Sequence, residues 1–287
     1  MRFYDLFSGI GGFHDAISNV LNQEAACVGT CEIDPHCIRF LRKKYLLGDN
    51  IFSADIKKLF NEKEEDCIEL DMPDIIFAGF PCQSFSNVGS RKGLNDSRGA
   101  LFFDLLRVLK ATSPSLFLFE NVQKIKTIDG GKTLSRIAND LRDAGYHVTL
   151  WDLYAHDYGL PQKRRRIFFA GVKTKRSNLD ISPPPKQVLK DSKTPSSFDI
   201  LERAMPKRHI VPEGSRKTIF TKNKKWMGCL TINNPIGRPL CATMGKWHRA
   251  NQDNYFTEDY VMSANRPSLV DYKWEDESLR RITPLEG

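Results

Sequence analysis

Over its first 172 residues the chain alternates short apolar runs with amphipathic stretches, a pattern that admits few architectures. Strand-length segments alternating with helix-length ones place a mostly parallel sheet at the centre, with helices on its faces. Strands are expected near 2–6, 27–32, 50–53, 74–78, 115–119, 147–153 and 166–172, and helices near 12–22, 35–46, 98–112 and 131–145. Within 98–112, Leu101, Phe102, Leu105, Leu106 and Leu109 recur at helical spacing and mark a core face. Gly145 closes the helix that precedes the sixth strand. The expected fold class is therefore α/β, a doubly wound, mostly parallel sheet. Pro183-Pro184-Pro185 can continue neither a helix nor a central strand, so a boundary falls there. Residues 1–181 form the expected first domain and 182–278 a second, smaller, irregular and β-leaning one, rich in turns and basic loops.

Composition narrows the classes of function. The 287 residues are 40% hydrophobic and 27% charged, ordinary for a globular chain with a large core. No stretch approaches the roughly 20 apolar residues that span a membrane, so no membrane partner is expected. The N-terminal Met1-Arg2-Phe3-Tyr4-Asp5 reads as a strand and lacks the apolar region of a signal peptide. Seven cysteines at irregular spacing fit neither a disulfide framework nor a metal site, and a reducing cytoplasm suits them. The net charge of +8 points to a polyanionic partner or to a merely basic protein. Its distribution favours nucleic acid. Lys163, Arg164, Arg165, Arg166, Lys173, Lys175 and Arg176 make one cluster, and a second lies within 203–225.

Three strand ends carry the features of a nucleoside-bearing cofactor site. Asp5-Leu6-Phe7-Ser8-Gly9-Ile10-Gly11-Gly12 follows the first strand and opens a helix, where glycines allow a tight turn and the helix start offers free N–H groups. The second strand ends in Cys31-Glu32-Ile33-Asp34, an acidic residue where ribose hydroxyls are commonly held; Asp34 also suits an N-cap before Pro35. The third ends at Asp55-Ile56.

Three further segments carry reactive groups. Gly79-Phe80-Pro81-Cys82-Gln83-Ser84 presents a thiol where a buried strand gives way to a loop, a nucleophile's position or that of an inert buried cysteine. An apolar strand runs into Glu120-Asn121, and a buried carboxylate is costly unless paired or protonated. A raised pKa would let Glu120 share a proton with a ring nitrogen; a Glu exposed at a loop start is the plain alternative. Asn121 beside it suits a cap or the orientation of the turn. In Gln162-Lys163-Arg164-Arg165-Arg166, strand alternation puts Arg164 and Arg166 on one side, able to grip phosphate or a base carbonyl.

Taken together, DLFSGIGGF (5–13), GFPCQSFS (79–86), ENV (120–122), QKRRR (162–166) and RRITPLE (280–286) resemble the successive motifs of the cytosine-5 DNA methyltransferase family. Residues 92–99 also look like that family's mobile active-site loop. The resemblance implies a class I methyltransferase (Rossmann-like) fold with S-adenosylmethionine as cofactor. Phe7, Gly9 and Gly11 would line its pocket, Glu32 would hold the ribose, Asp55 and Ile56 would meet the adenine, and Ile33 and Pro81 would complete the cofactor site. The substrate would be a cytosine flipped out of double-stranded DNA. Cys82 would add to ring C6, Glu120 would assist at N3, Arg166 would contact the base carbonyl and Arg164 nearby backbone groups. Residues 182–278 would recognise the target sequence, in a prokaryotic, nucleoid-associated setting alongside a restriction nuclease. A tRNA cytosine-5 methyltransferase and a catalytically silent DNA-binding subunit are the competing readings. Intact Cys82 and Glu120 argue against the silent one.

One departure follows from the same resemblance. Residues 279–287 would begin a return to the large domain, with Thr283-Pro284 as a helix start. The family's later Asn-containing segment has no counterpart before Gly287, so a truncated chain or a second polypeptide supplying that segment is expected.

Overall fold

The computed structural model describes residues 1–47, 52–53, 55–59, 72–81, 100–174, 181–186, 195–220, 232–240, 253–267 and 278–283. The chain divides into two compact units, Met1–Leu153 with Arg166–Pro184, and Tyr154–Arg165 with Pro185–Gly287.

The first unit is built on a seven-stranded sheet. In chain order its elements are β1 (Arg2–Leu6), α1 (Gly12–Leu21), β2 (Ala26–Cys31), α2 (Pro35–Tyr45), β3 (Phe52–Ser53), β4 (Ile75–Ala78), α3 (Ala100–Thr112), β5 (Leu116–Val122), α4 (Lys132–Asp143), β6 (Tyr146–Tyr154) and β7 (Arg165–Lys173). The strand order is β3-β2-β1-β4-β5-β7-β6. β1 through β5 pair in parallel, and β7 runs antiparallel to β5. Winding proceeds outward in one direction from β1 and in the other from β4. That reversal opens a crevice at their carboxyl ends, where open α/β sheets bind ligands.

Continuous apolar runs dictate the central strands. Ile76, Phe77 and Ala78 of β4 and Phe117 and Phe119 of β5 are buried, as strands covered on both faces must be. Gly171 of β7 lies opposite Phe117, and a Cβ there would come within 2.1 Å of that ring, so only glycine fits. The α2 helix begins as its sequence directs. Asp34 caps it by accepting from His36 N (2.7 Å) and Cys37 N (3.3 Å), with Pro35 in its first turn. Phe102, Leu105 and Leu109 turn the face of α3 into the core formed with Leu6, Ile76, Phe117 and Phe169.

The second unit holds α5 (Ser197–Ile200), α6 (Glu213–Phe220), β8 (Tyr255–Thr257), α7 (Glu258–Met262) and β9 (Leu279–Arg281). Its strand content among the described residues is the antiparallel β8–β9 pair. Leu279–Arg281, expected to start a return to the large domain, thus pairs inside the second unit; residues 284–287 lie outside the described ones. Among the described residues the apolar packing is in two small clusters, one around Val211, Ile219, Tyr255 and Leu279 and one around Phe198, Leu201, Phe256 and Tyr260. Polar ties supplement them. Arg280 is fully buried and donates to the carbonyls of Arg281 and Glu202 (3.0 Å each). A reciprocal capping box between Ser196 and Asp199 starts α5.

Candidate active site

The turn after β1 is set by backbone conformations that few residues adopt. Phe7, Gly9 and Gly11 have φ of 55°, 57° and 85°. Gly11 has a second reason to lack a side chain: a Cβ would sit 2.6 Å from Tyr45 Cε2. Tyr45, the last residue of α2, places its hydroxyl 3.1 Å from the Gly11 carbonyl and 2.8 Å from Asp15 Oδ1. Lys44 holds the other Asp15 oxygen at 2.5 Å. At the floor of the turn, Thr30 donates to the Asp5 carbonyl (3.0 Å) and Ser8 to that of Cys31 (3.3 Å).

Glu32 joins this turn to the end of β2. Its Oε2 accepts from Gly9 N at 2.7 Å, and its Oε1 accepts from the N–H groups of Ile33 and Asp34 at 2.8 Å each. A carboxylate offers about four lone-pair sites, so one remains for a hydroxyl ligand. Ile33 beside it is 73% exposed, an apolar side chain left in the open at the rim. Asp55, at the end of β3, is half-buried and accepts from Lys57 N at 3.0 Å. Ile56 beside it is 2% exposed, its side chain packed within the core. Among the described residues, nothing lies within 4 Å of the place a Cβ would take at Gly9. Open backbone, a ribose-competent carboxylate and an exposed apolar side chain form a donor set that fits a nucleoside-bearing cofactor.

Asp5 was not singled out as a site residue, yet it is the most unusual group here. It is fully buried at the end of β1, and burial pushes its pKa up to about 7, with Glu32 adding to the rise. The His14 N–H faces it without closing a hydrogen bond of normal geometry, and neither carboxyl oxygen has another partner among the described residues. His14 is buried too, stacked on Tyr45 at 3.8 Å and edge-on to Phe3 at 5.1 Å, and burial lowers its pKa. An acidic residue inside the run Phe3-Tyr4-Asp5-Leu6-Phe7 is the signal that could have flagged it.

The ends of β4 and β5 meet at Gly79. A Cβ on Gly79 would lie 3.8 Å from the Phe7 carbonyl and 3.9 Å from Glu120 Oε2, so the ends of β1, β4 and β5 converge. Glu120 forms an ion pair with Arg166, Oε1 to Nε at 2.6 Å, with both side chains mostly buried. Arg166 sits opposite Val122 and Glu120 opposite Phe168, the diagonal that long side chains bridge across antiparallel strands. The cost of burying Glu120 is thus offset by pairing. Asn121, fully buried, donates through Nδ2 to the Phe80 carbonyl (3.0 Å) and accepts from Val122 N (2.8 Å), which ties β5 to the segment leading into Pro81. Pro81 is half-buried and ends the described stretch. Cys82 and residues 92–99 lie outside the described residues. Arg164 belongs to the second unit; its side chain is exposed and its carbonyl accepts from Ala155 N at 2.8 Å, while Arg165 lies 4.7 Å over the Tyr154 ring.

Comparison with known proteins places the chain in one family. A family model for C-5 cytosine-specific DNA methylases matches residues 1–287. Type II methyltransferase M.NlaIV of Neisseria lactamica is 36% identical over 218 residues, covering 72% of this chain and 47% of that protein. Type II methyltransferase M1.ScrFI of Lactococcus lactis subsp. cremoris is 34% identical over 245 residues, covering 81% and 58%. The chain spans about half the length of the curated relatives it matches. In structure it is similar to the S. pombe Dnmt2 methyltransferase, with a TM-score of 0.71 at 20% identity over 100% of this chain and 85% of that one, a likeness of fold. S-adenosylmethionine is the methyl donor of this family's enzymes. With a doubly wound sheet and a family match along its whole length, the chain belongs to the C-5 cytosine-specific DNA methylases.

Proposed function

We propose that the protein is a DNA (cytosine-5)-methyltransferase of the type II restriction-modification kind, acting on a flipped-out cytosine through a covalent Cys82 adduct. The observation that carries this reading is the Glu120–Arg166 pair beside Gly79, three residues ahead of Cys82 in the chain. A cytosine ring resists methylation at C5 until a nucleophile adds at C6, and its edge is inaccessible inside the stack. Cys82 supplies the thiolate that adds at C6. Glu120 hydrogen-bonds or protonates N3 as electron density moves toward it, and Arg166, held against Glu120, contacts the base carbonyl. Bound S-adenosylmethionine would supply an electrophilic methyl group for C5, leaving as S-adenosylhomocysteine. Loss of the C5 proton and departure of Cys82 then restore the aromatic ring. Phe7, Gly9, Gly11, Glu32, Ile33, Asp55, Ile56 and Pro81 hold the cofactor in this account, and Arg164 meets nearby backbone groups. Residues 1–181 are the catalytic domain, and 182–278 choose the target.

Transfer of a labelled methyl group to duplex DNA and to tRNA, assayed side by side, tests the reading. Label in cytosine of duplex DNA is the expected result, and label confined to tRNA contradicts it. Glu120→Gln should lower kcat by about 10²-fold or more with DNA affinity little changed, the size expected for a proton-transfer group. Equal losses in both would mark Glu120 as structural.

A further inference from the structure

The second unit contains a strap whose two edges are fastened in different ways. Along one edge, backbone groups join residues 161–163 to Gly237: Gly237 N donates to the Pro161 carbonyl (2.8 Å) and Lys163 N to the Gly237 carbonyl (2.7 Å), a parallel bridge of Gln162 with Gly237. Along the other edge, side chains do the joining. Asn254 Oδ1 accepts from Arg238 N (2.7 Å) and its Nδ2 donates to the Arg238 carbonyl (3.1 Å), so one amide side chain completes both hydrogen bonds of a backbone partner. Asn233 does the same kind of work further along, with Thr257 N donating to its Oδ1 (2.9 Å) and its Nδ2 donating to Thr257 Oγ1 (3.1 Å). The Arg238 guanidinium donates to the Asp253 carbonyl at 3.1 Å, and Asp253 accepts from Asn254 N at 2.7 Å.

Asn254 is 3% exposed, so both halves of its amide depend on these partners. Space at the crossing is tight: a Cβ on Gly237 would lie 3.4 Å from Asn254 Oδ1 and 3.4 Å from the Pro161 carbonyl. The register of the 161–163 loop is thereby set by Gly237, and that of Gly237 by the side chain of Asn254 through its neighbour. The residue that follows this loop is Arg164, whose carbonyl is anchored in turn by Ala155 N.

We propose that Asn254 is a positioning residue for DNA binding, fixing the strap at Gly237-Arg238 and, through it, the Pro161–Lys163 loop that presents Arg164. The proposal rests on the DNA methyltransferase reading above. It makes the bridge between the basic segment near residue 164 and the recognition region a built joint, and its hydrogen bonds can be followed one amide at a time. The Lys163 and Gly237 amides report on the joint itself. The Asn233 amide, which donates to the Tyr255 carbonyl at 2.9 Å, reports on the integrity of the unit apart from it.

Hydrogen exchange and DNA titration on the intact protein test this together. In Asn254→Ala, exchange at Lys163 and Gly237 should rise about tenfold while Asn233 stays protected. Affinity for duplex DNA should fall about tenfold with cofactor affinity unchanged, since only the positioned contacts are lost. Asn254→Asp keeps the 2.7 Å acceptor for Arg238 N but sets a carboxylate oxygen where Nδ2 donated to the Arg238 carbonyl, so both losses should persist. Gly237→Ala strains the same crossing from the other side, and its loss of DNA affinity should be non-additive with that of Asn254→Ala. Unchanged exchange at Lys163 overturns the proposal, and so does faster exchange with undiminished DNA affinity. If Asn254→Ala fails to fold, the Asp and Gly237→Ala variants carry the same outcomes. A wild-type protein that binds no DNA, with the exchange pattern as expected, overturns the proposed function and leaves the joint standing.

Discussion

Asp5 makes the link between sequence and electrostatics sharpest. The folded protein holds its carboxyl where water cannot reach, so its pKa rises from the ordinary 3.8 to about 7. The folded state therefore keeps a proton that the unfolded chain releases above about pH 4. Stability contributed by this group falls as pH rises from about 4 to about 7 and is level above that, because the unfolded state binds fewer protons throughout the window. Asp5→Asn should remove this part of the slope and raise Tm most above pH 7. Melting curves between pH 5 and 8 check it, and an Asn variant with the wild-type slope would place the titration elsewhere. Glu120 shows the other solution to the same cost, since a guanidinium 2.6 Å away meets its charge. In the sequence Asp5 interrupts an apolar run and Glu120 ends one, yet only Glu120 stands out there as a costly carboxylate. Which one is paired depends on β7 arriving beside β5 with Arg166 in reach, a tertiary fact.

At the level of elements, the strands and helices of the first unit follow from periodicity because each does one job. β4 and β5 read as unbroken apolar runs since both faces are covered. Asp34-Pro35 reads as a helix start because cap and first turn are local chemistry. The junction of β1 with α1 was only half legible. Glycines at 9, 11 and 12 signalled a turn, but Tyr45, 34 residues downstream of Gly11, is what fills the space beside it. Gly11→Ala should accordingly cost more than a left-handed backbone alone, which is about 1–2 kcal/mol. With the Tyr45 ring 2.6 Å from the new Cβ, we expect a loss of at least about 3 kcal/mol and a cofactor affinity weakened about tenfold or more. Denaturant unfolding and cofactor titration measure both, and a loss near 1 kcal/mol would mean that Tyr45 moves aside freely. The second unit was least legible. Its joints are single asparagine side chains acting as backbone surrogates, at 233 and 254, and such ties leave no repeat in the sequence.

Across the whole molecule, residues 154–165 pack with the second unit although they lie between two strands of the first. The basic segment around Arg164 is thus shared out, Arg164 with one unit and Arg166 with the other. All of the proposed chemistry turns on one thiol that the sequence places directly after Pro81. A duplex containing 5-fluorocytosine at the target position tests it most directly, because fluorine at C5 blocks the last elimination and leaves the enzyme bound. Incubated with this duplex and S-adenosylmethionine, the intact protein should form a covalent complex whose digest carries the methylated nucleotide on the Cys82 peptide, and Cys82→Ser should form none. A complex joined through any other residue, or methyl transfer that survives Cys82→Ser, would contradict the account.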